Sequence, residues 1–399
     1  MNPINKKKKF LTFDNFSIIP LIEGIDLFLN LSIVTFLSIF FFENFDTRTS
    51  ILVTLFVVLL SFFSRFFSFE VLKVFSSLFK KNSFNLLFLL TLSFLFPIFL
   101  TNKFPLISLI IFCFSRVATG IILSLLNYCN FNSNKFKNEN NFFLKYSLLM
   151  IFGLIIGSFF FLIIDDILSI QQMNSWGWKT IYVFLSLVTL MLMSVLYKFN
   201  SLITLDFQEI KNASNNEIKL KTYFFKNIFI IIPFTVFVIY SSSHWLTKFS
   251  NPENMQFLEF NLILIILVSL VTFFIFPIID LVGRNRSKKF FSMTIVVISL
   301  VSFFFEYTSS YSIELLKFFI VLVSSFTLSI YLLNNKKIGN YDIKELIYLQ
   351  NLYLLILSIF IPILFYYFIN FSIRYNEVYL IIGVIFLISI FSDKYVKDR

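Results

Sequence analysis

Histidine occurs once in this 399-residue chain, cysteine twice, and alanine only at Ala118 and Ala213. Each scarcity excludes something. One histidine (His244) and two cysteines (Cys113 and Cys129) cannot supply a His/Cys metal cluster or a disulfide framework. The cysteines lie sixteen residues apart in one apolar run, about 24 Å along a helix at 1.5 Å per residue, so they do not pair within it. No phosphate-binding glycine loop, H-E-x-x-H or G-x-S-x-G is present. Nothing therefore marks the chain as an enzyme, and no cofactor or metal is expected. Glycine numbers only eight. Helix contacts in lipid normally use glycine and alanine, so serine must take much of that role here. Charge is sparse, at 14% against about 25% in soluble domains.

What the chain has instead is apolar length. Hydrophobic residues make up 58% of it, phenylalanine alone 61 positions, and the mean hydropathy is +0.86. A run of roughly 20 apolar residues crosses a hydrocarbon core of about 30 Å, and only helices or closed barrels satisfy the backbone there. Such runs recur twelve times, at about 18–42, 50–69, 84–100, 106–129, 146–164, 180–197, 227–246, 260–279, 290–305, 318–333, 347–371 and 378–391. The fold class is therefore an all-α polytopic membrane protein with twelve transmembrane helices.

Lysine and arginine orient it. With the N-terminus and Lys6 to Lys9 in the cytoplasm, alternate segments on that side hold 25 of the 33 basic residues. The opposite loops hold six: Arg48, Lys103, Lys179, Lys248, Lys317 and Arg374. Arg65 and Arg116 fall inside spans. Positive residues concentrate on the cytoplasmic face, so both termini are expected there. The net charge of +11 is then explained by anionic lipid, and no nucleic-acid partner is implied. The lysine run before the first span mimics a signal peptide, but the apolar stretch is too long and lacks a small-residue cleavage site. The Phe, Ile, Asn and Lys bias resembles an AT-rich bacterial genome, so the expected location is a bacterial cytoplasmic membrane.

One long polar segment interrupts the chain, at 198–221. It divides residues 1–197, a six-helix bundle, from residues 222–399, a second one. Two such halves joined by a charged cytoplasmic loop are a common transporter architecture, with the substrate path between them.

Glu23 and Asp26 lie in the first span, and a spacing of three puts both on one helix face. Buried ionisable groups in lipid carry a cost of at least about 2.5 kcal/mol and face a cavity or a partner. Either they exchange protons near neutral pH, or they lie shallow and pair with a basic loop. Arg65 and Arg116 are candidates to pair with them or to hold an anionic substrate, with headgroup snorkelling the alternative for Arg65. His244, beside Trp245, reads as an interfacial anchor or a proton relay. Asp165 and Asp166 read as a solvated loop.

Several stretches together resemble the metabolite:H+ symporter family of the major facilitator superfamily, which includes proline/betaine, citrate, α-ketoglutarate and shikimate transporters. Its first-helix E-W-Y-D-F is similar to Glu23-Gly24-Ile25-Asp26-Leu27. Its fourth-helix R-x-x-Q-G matches at Arg116 and Gly120, and its fifth-helix G-x-x-x-G at Gly153 and Gly157. Its W-G-W-R resembles Trp176-Gly177-Trp178-Lys179. The superfamily's D-R-x-G-R loop resembles Asp280-Leu281-Val282-Gly283-Arg284. The chain departs at Ser77 and Lys80-Lys81, where the family has Asp and Gly-Arg, and at Ser124-Leu125-Leu126, where it has G-G-E.

The resemblance implies a major facilitator fold and alternating access. It implies a monomeric carrier of a small polar metabolite or osmolyte, driven by proton symport. Glu23, Asp26, Arg116 and Arg65 would serve coupling or substrate. Asp280, Gly283 and Arg284 would serve gating, and Gly120, Gly153 and Gly157 helix packing. The alternatives are an uncoupled facilitator or exchanger, and a non-transporting sensor or scaffold derived from a transporter.

Overall fold

The computed structural model describes residues 19–43, 45–68, 70–71, 83–132, 142–198 and 284–304, with 351, 352, 355 and 384 as isolated positions. Among these every regular element is helical. The elements are α1 (Ile19–Ser32), α2 (Val34–Phe42), α3 (Thr47–Arg65), α4 (Ser83–Leu95), α5 (Pro105–Asn132), α6 (Phe142–Ile167), α7 (Lys179–Lys198) and α8 (Arg284–Phe304). The first six predicted spans and the ninth are helical at their expected places. The seventh, eighth, tenth and twelfth predicted spans, the 198–221 loop beyond Lys198, His244, Asp280 and Gly283 fall outside the described residues. So does the eleventh span, apart from isolated positions.

The first span is not one straight rod. α1 and α2 meet at 54° across Ile33, whose φ of −96° and ψ of 4° leave the α region. Two side chains just before the bend feed hydrogen bonds back into the ladder. Asn30 Nδ2 donates to the Asp26 carbonyl at 2.8 Å, and Ser32 Oγ to that of Phe28 at 2.9 Å. Such back-bonding loosens the ladder and bends helices. The third span ends in a 3-10 turn, Phe96–Phe99, around Pro97. Proline at the first position of α5 suits a helix start, where its missing N–H is not needed. Between α6 and α7, a Ser169/Gln172 capping box and a π-helical turn, Met173–Gly177, bend the chain by 115°.

Pro105–Tyr128 is long and apolar enough to cross a bilayer unbroken, and each of the two bent pairs, Ile19–Ser32 with Val34–Phe42 and Phe152–Ile167 with Ile170–Gly177, is so when its members are taken together. Thr49–Arg65, Phe84–Phe99, Lys179–Ser194 and Lys289–Val301 are shorter apolar helices.

α1 packs on α6, α3 on α5, and α4 against both α5 and α7. Glycine is needed where backbones touch. A Cβ at Gly24 would meet the carbonyl oxygen of Met150, one at Gly153 that of Leu21, and one at Gly120 that of Ser61. Gly157 is less tightly held, with Ile25 O 3.3 Å from its would-be Cβ. Hydroxyls join the other seams: Ser115 Oγ donates to Ser93 O at 2.7 Å, and Thr91 Oγ1 to Thr189 Oγ1 at 3.0 Å. The pattern is inverted relative to a soluble protein. Phe99, Phe114 and Met191 lie exposed, while Glu23, Asp26, Arg65 and Arg116 are buried. An apolar exterior around an ionised interior is what a lipid environment selects.

Candidate functional site

Four charges meet inside the bundle. α1 presents Glu23, Asp26 and Asn30, at i, i+3 and i+7, on one face. α3 ends at Arg65, and α5 carries Arg116 and Asn127, three turns apart and hence on one stripe. The sequence placed both acids and both arginines in apolar spans. The tertiary structure pairs them one to one.

Arg116 grips Asp26 with a bidentate fork: Nη1 donates to Oδ1 at 2.8 Å and Nη2 to Oδ2 at 3.0 Å. Its other donors are also used. Nε reaches the Val58 carbonyl at 3.3 Å, and Nη2 the Ser61 hydroxyl at 2.8 Å. Asn30 Nδ2 adds a bond to Asp26 Oδ1 at 2.8 Å, and Tyr182 Oη donates to Asn30 Oδ1 at 2.5 Å. This chain of bonds ties α1, α3, α5 and α7 together through one carboxylate.

Arg65 meets Glu23 differently. Only Nη1 is engaged, donating to Oε1 at 2.6 Å. The guanidinium lies over the Phe62 ring, 5.2 Å from its centroid. Nε and Nη2 have no hydrogen-bond partner among the described residues, although the side chain is only 2% exposed. Asn127 Nδ2 donates to Glu23 Oε1 at 2.7 Å. Arg65 is thus buried and paired rather than snorkelling. Among the described residues two acids and two arginines sum to zero, which is the condition for holding four charges where the dielectric is low.

Asn30, Asn127, Ser61 and Tyr182 belong to the site and were missed in the sequence. Asn30 and Asn127 had a readable signal, since each continues a polar stripe at helical spacing from Asp26 or Arg116. Tyr182 had none, because one tyrosine in an apolar run is ordinary. Gly120 and Gly153 lie in the helix seams that bring α3 to α5 and α6 to α1. The W-G-W-K stretch lies elsewhere, at the start of α7. Trp178 is fully buried against Phe40, ring centroids 5.0 Å apart, and Lys179 Nζ donates to the Leu100 carbonyl at 2.5 Å. Asp165 is partly buried and Asp166 exposed at the end of α6. Arg284 begins α8, remote in sequence from the cluster. Among the described residues no group of three or more His, Cys, Asp or Glu could hold a metal.

Among the described residues, one polar contact joins the two halves of the chain. Ser68 and Ser124 hydroxyls lie 2.8 Å apart, and Asn351 Nδ2 donates to Ser124 Oγ at 2.8 Å. Ser124 stands where the resemblance has glycine.

No family model matches the chain, and no curated protein does. Solved structures do match. The proton:xylose symporter XylE from E. coli superposes with a TM-score of 0.65 at 13% identity, over 96% of this chain and 95% of XylE. A bacterial homologue of the iron transporter ferroportin gives 0.58 at 10% identity, over 95% and 99%. The human organic anion transporter MFSD10 gives 0.57 at 11% identity, over 95% and 97%. The chain therefore has the fold of the major facilitator transporters, across nearly its whole length.

Proposed function

We propose that this chain is a secondary active transporter. In this reading residues 1–197 and 222–399 form two six-helix bundles, joined by a cytoplasmic loop at 198–221, that rock about a central path. It works as a monomer in a bacterial cytoplasmic membrane with both termini inside. It moves a small polar metabolite or osmolyte together with protons. The observation that carries this reading is the buried cluster of two ion pairs, Glu23–Arg65 and Asp26–Arg116, inside an apolar-surfaced bundle. Ionised groups at such depth are expensive, and a fold that needed only to pack would fill the space with hydrocarbon. The likeness in fold to a proton:xylose symporter supports transport as the class. It does not carry xylose over as the substrate.

Mechanistically, a first-helix carboxylate takes a proton from outside, releases its arginine, and gives the proton up inside. Asp280, Gly283 and Arg284 are assigned to an inner-face contact that holds one conformation. A facilitator or exchanger without coupling is the second reading. It is favoured by Ser124-Leu125-Leu126, where the resemblance has G-G-E.

The test is counterflow into proteoliposomes loaded with unlabelled sugars, amino acids, betaine or organic acids, followed by accumulation under an imposed pH gradient. Counterflow of at least one class, with gradient-driven accumulation lost in Glu23→Gln or Asp26→Asn while exchange survives, supports the symporter. Exchange with no response to the gradient leaves the facilitator. No counterflow of any class sinks transport and leaves a scaffold.

A further inference from the structure

We propose that the unused edge of Arg65 binds the carboxylate of a small molecule with one acid group, either a monocarboxylate or a zwitterion. This rests on the transport reading, in which that molecule is the substrate, and it names the group by which the substrate is held.

Arg65 is bonded through one nitrogen. Nη1 donates to Glu23 Oε1 at 2.6 Å. Nε and Nη2 have no hydrogen-bond partner among the described residues, although the side chain is only 2% exposed. These two nitrogens form the side edge of the guanidinium. Their N–H bonds run parallel, at a spacing that suits the two oxygens of one carboxylate. The Phe62 ring lies against the guanidinium, its centroid 5.2 Å from Cζ, so a flat face is taken and the edge remains for a ligand. Arg116 gives the contrast. All three of its nitrogens are bonded, to Asp26, Val58 and Ser61. A buried donor left unpaired lowers a folding equilibrium roughly fivefold or more. Two such donors on one residue are a cost that packing leaves standing and a bound carboxylate removes.

Position agrees. Ser68 follows Arg65 by three residues, about one helical turn on. Its hydroxyl lies 2.8 Å from that of Ser124, which accepts from Asn351 Nδ2 at 2.8 Å. Arg65 therefore stands about one turn from a seam where the two halves of the chain touch. In a two-bundle transporter the ligand path runs between the halves and opens when they part. Hydroxyls and an amide at the seam offer uncharged partners to the rest of a polar ligand.

The charge count sets the class. Within the cluster, and among the described residues, Arg65 is the cation with nitrogens to spare. One guanidinium edge matches one carboxylate. A dicarboxylate or a phosphate would bring a second negative charge into a low dielectric with no cation to meet it.

The experiment is thermal unfolding of the purified full chain in neutral detergent at neutral pH. The probes are pyruvate, benzoate, proline and glycine betaine, each paired with a counterpart lacking the carboxylate: pyruvamide, benzamide, prolinamide and choline. Succinate, inorganic phosphate and phosphatidylglycerol complete the set. At about a hundred times its Kd, at least one carboxylate probe should raise the midpoint by roughly 3 °C or more, and its counterpart should not. In Arg65→Lys, which keeps a cation for Glu23 but has no two-donor edge, a tenfold weaker site would cut that shift to about half. The unaltered chain gives a second measurement that needs no variant. The stabilising probe should slow phenylglyoxal labelling of Arg65, read by peptide mass spectrometry, at least about tenfold. Stabilisation by no carboxylate probe means that the edge serves water only and overturns the proposal. So does equal stabilisation by the counterparts, an undiminished shift in Arg65→Lys, or unchanged labelling of Arg65. Stronger stabilisation by succinate or phosphate overturns the class, and stabilisation by phosphatidylglycerol alone makes the edge a headgroup site. Binding needs no transport. Carboxylate binding without counterflow sinks the transport reading and leaves the site, whereas counterflow of a neutral sugar without carboxylate binding does the reverse.

Discussion

Removing Arg116 alone should be far worse than removing Arg116 together with Asp26. In Arg116→Leu the Asp26 carboxylate loses its fork at 2.8 and 3.0 Å and stays buried at 1% exposure, with Asn30 as its remaining side-chain donor among the described residues. An uncompensated charge of this kind costs about 3–5 kcal/mol. For a helical half of about 200 residues, that corresponds to a fall in midpoint of roughly 6–20 °C. In Arg116→Leu with Asp26→Leu, no charge is left behind. The polar neighbours are also not stranded. Asn30 Nδ2 keeps its 2.8 Å bond to the residue-26 carbonyl, and Ser61 keeps the Val58 carbonyl at 3.5 Å. A hydrophobic pair of similar volume is often neutral or better, so the double variant should regain most of the loss, to within about 2 kcal/mol. The assay is thermal unfolding of the purified chain in one detergent, followed by loss of the monodisperse elution peak, for both singles and the double. A double variant as unstable as the sum of the singles would refute the reasoning. It would mean that shape, rather than charge balance, governs this part of the bundle.

Other outcomes follow from the same geometry. Gly24→Ala and Gly153→Ala should each sharply reduce assembly, because the new methyl meets a backbone carbonyl, while Gly157→Ala should be mild; the yield of monodisperse protein ranks them. Tyr182→Phe removes the 2.5 Å bond to Asn30 and should lower stability by about 1 kcal/mol, seen as a small midpoint shift in the same unfolding assay. Asn351→Leu breaks the bond to Ser124 that joins the halves and should broaden the distance distribution between spin labels placed on the two halves near these residues. Reporter fusions near Asn212 and at the C-terminus should both read cytoplasmic, and an outside signal at either would break the six-plus-six topology.

Composition and periodicity were enough to set the class of this protein. Long apolar runs leave the backbone no option but the helix, and the helices described lie where those runs predict. The scarcity of charge makes each intramembrane charge conspicuous, so Glu23, Asp26, Arg65 and Arg116 stand out in the sequence itself. Pairing could not be read the same way. Arg65 and Arg116 each had two acids within plausible reach, and the choice depends on how α3 and α5 dock on α1. That docking is governed by close contacts such as Gly120 against Ser61 and Gly24 against Met150, which link residues far apart in the chain. The bend at Ile33, the reach of Tyr182 to Asn30 and the unused donors of Arg65 are likewise products of docking. Sequence determined which groups must be buried, because water and lipid act on each residue type separately. Only the tertiary structure decided which buried group satisfies which, because that depends on distances between helices.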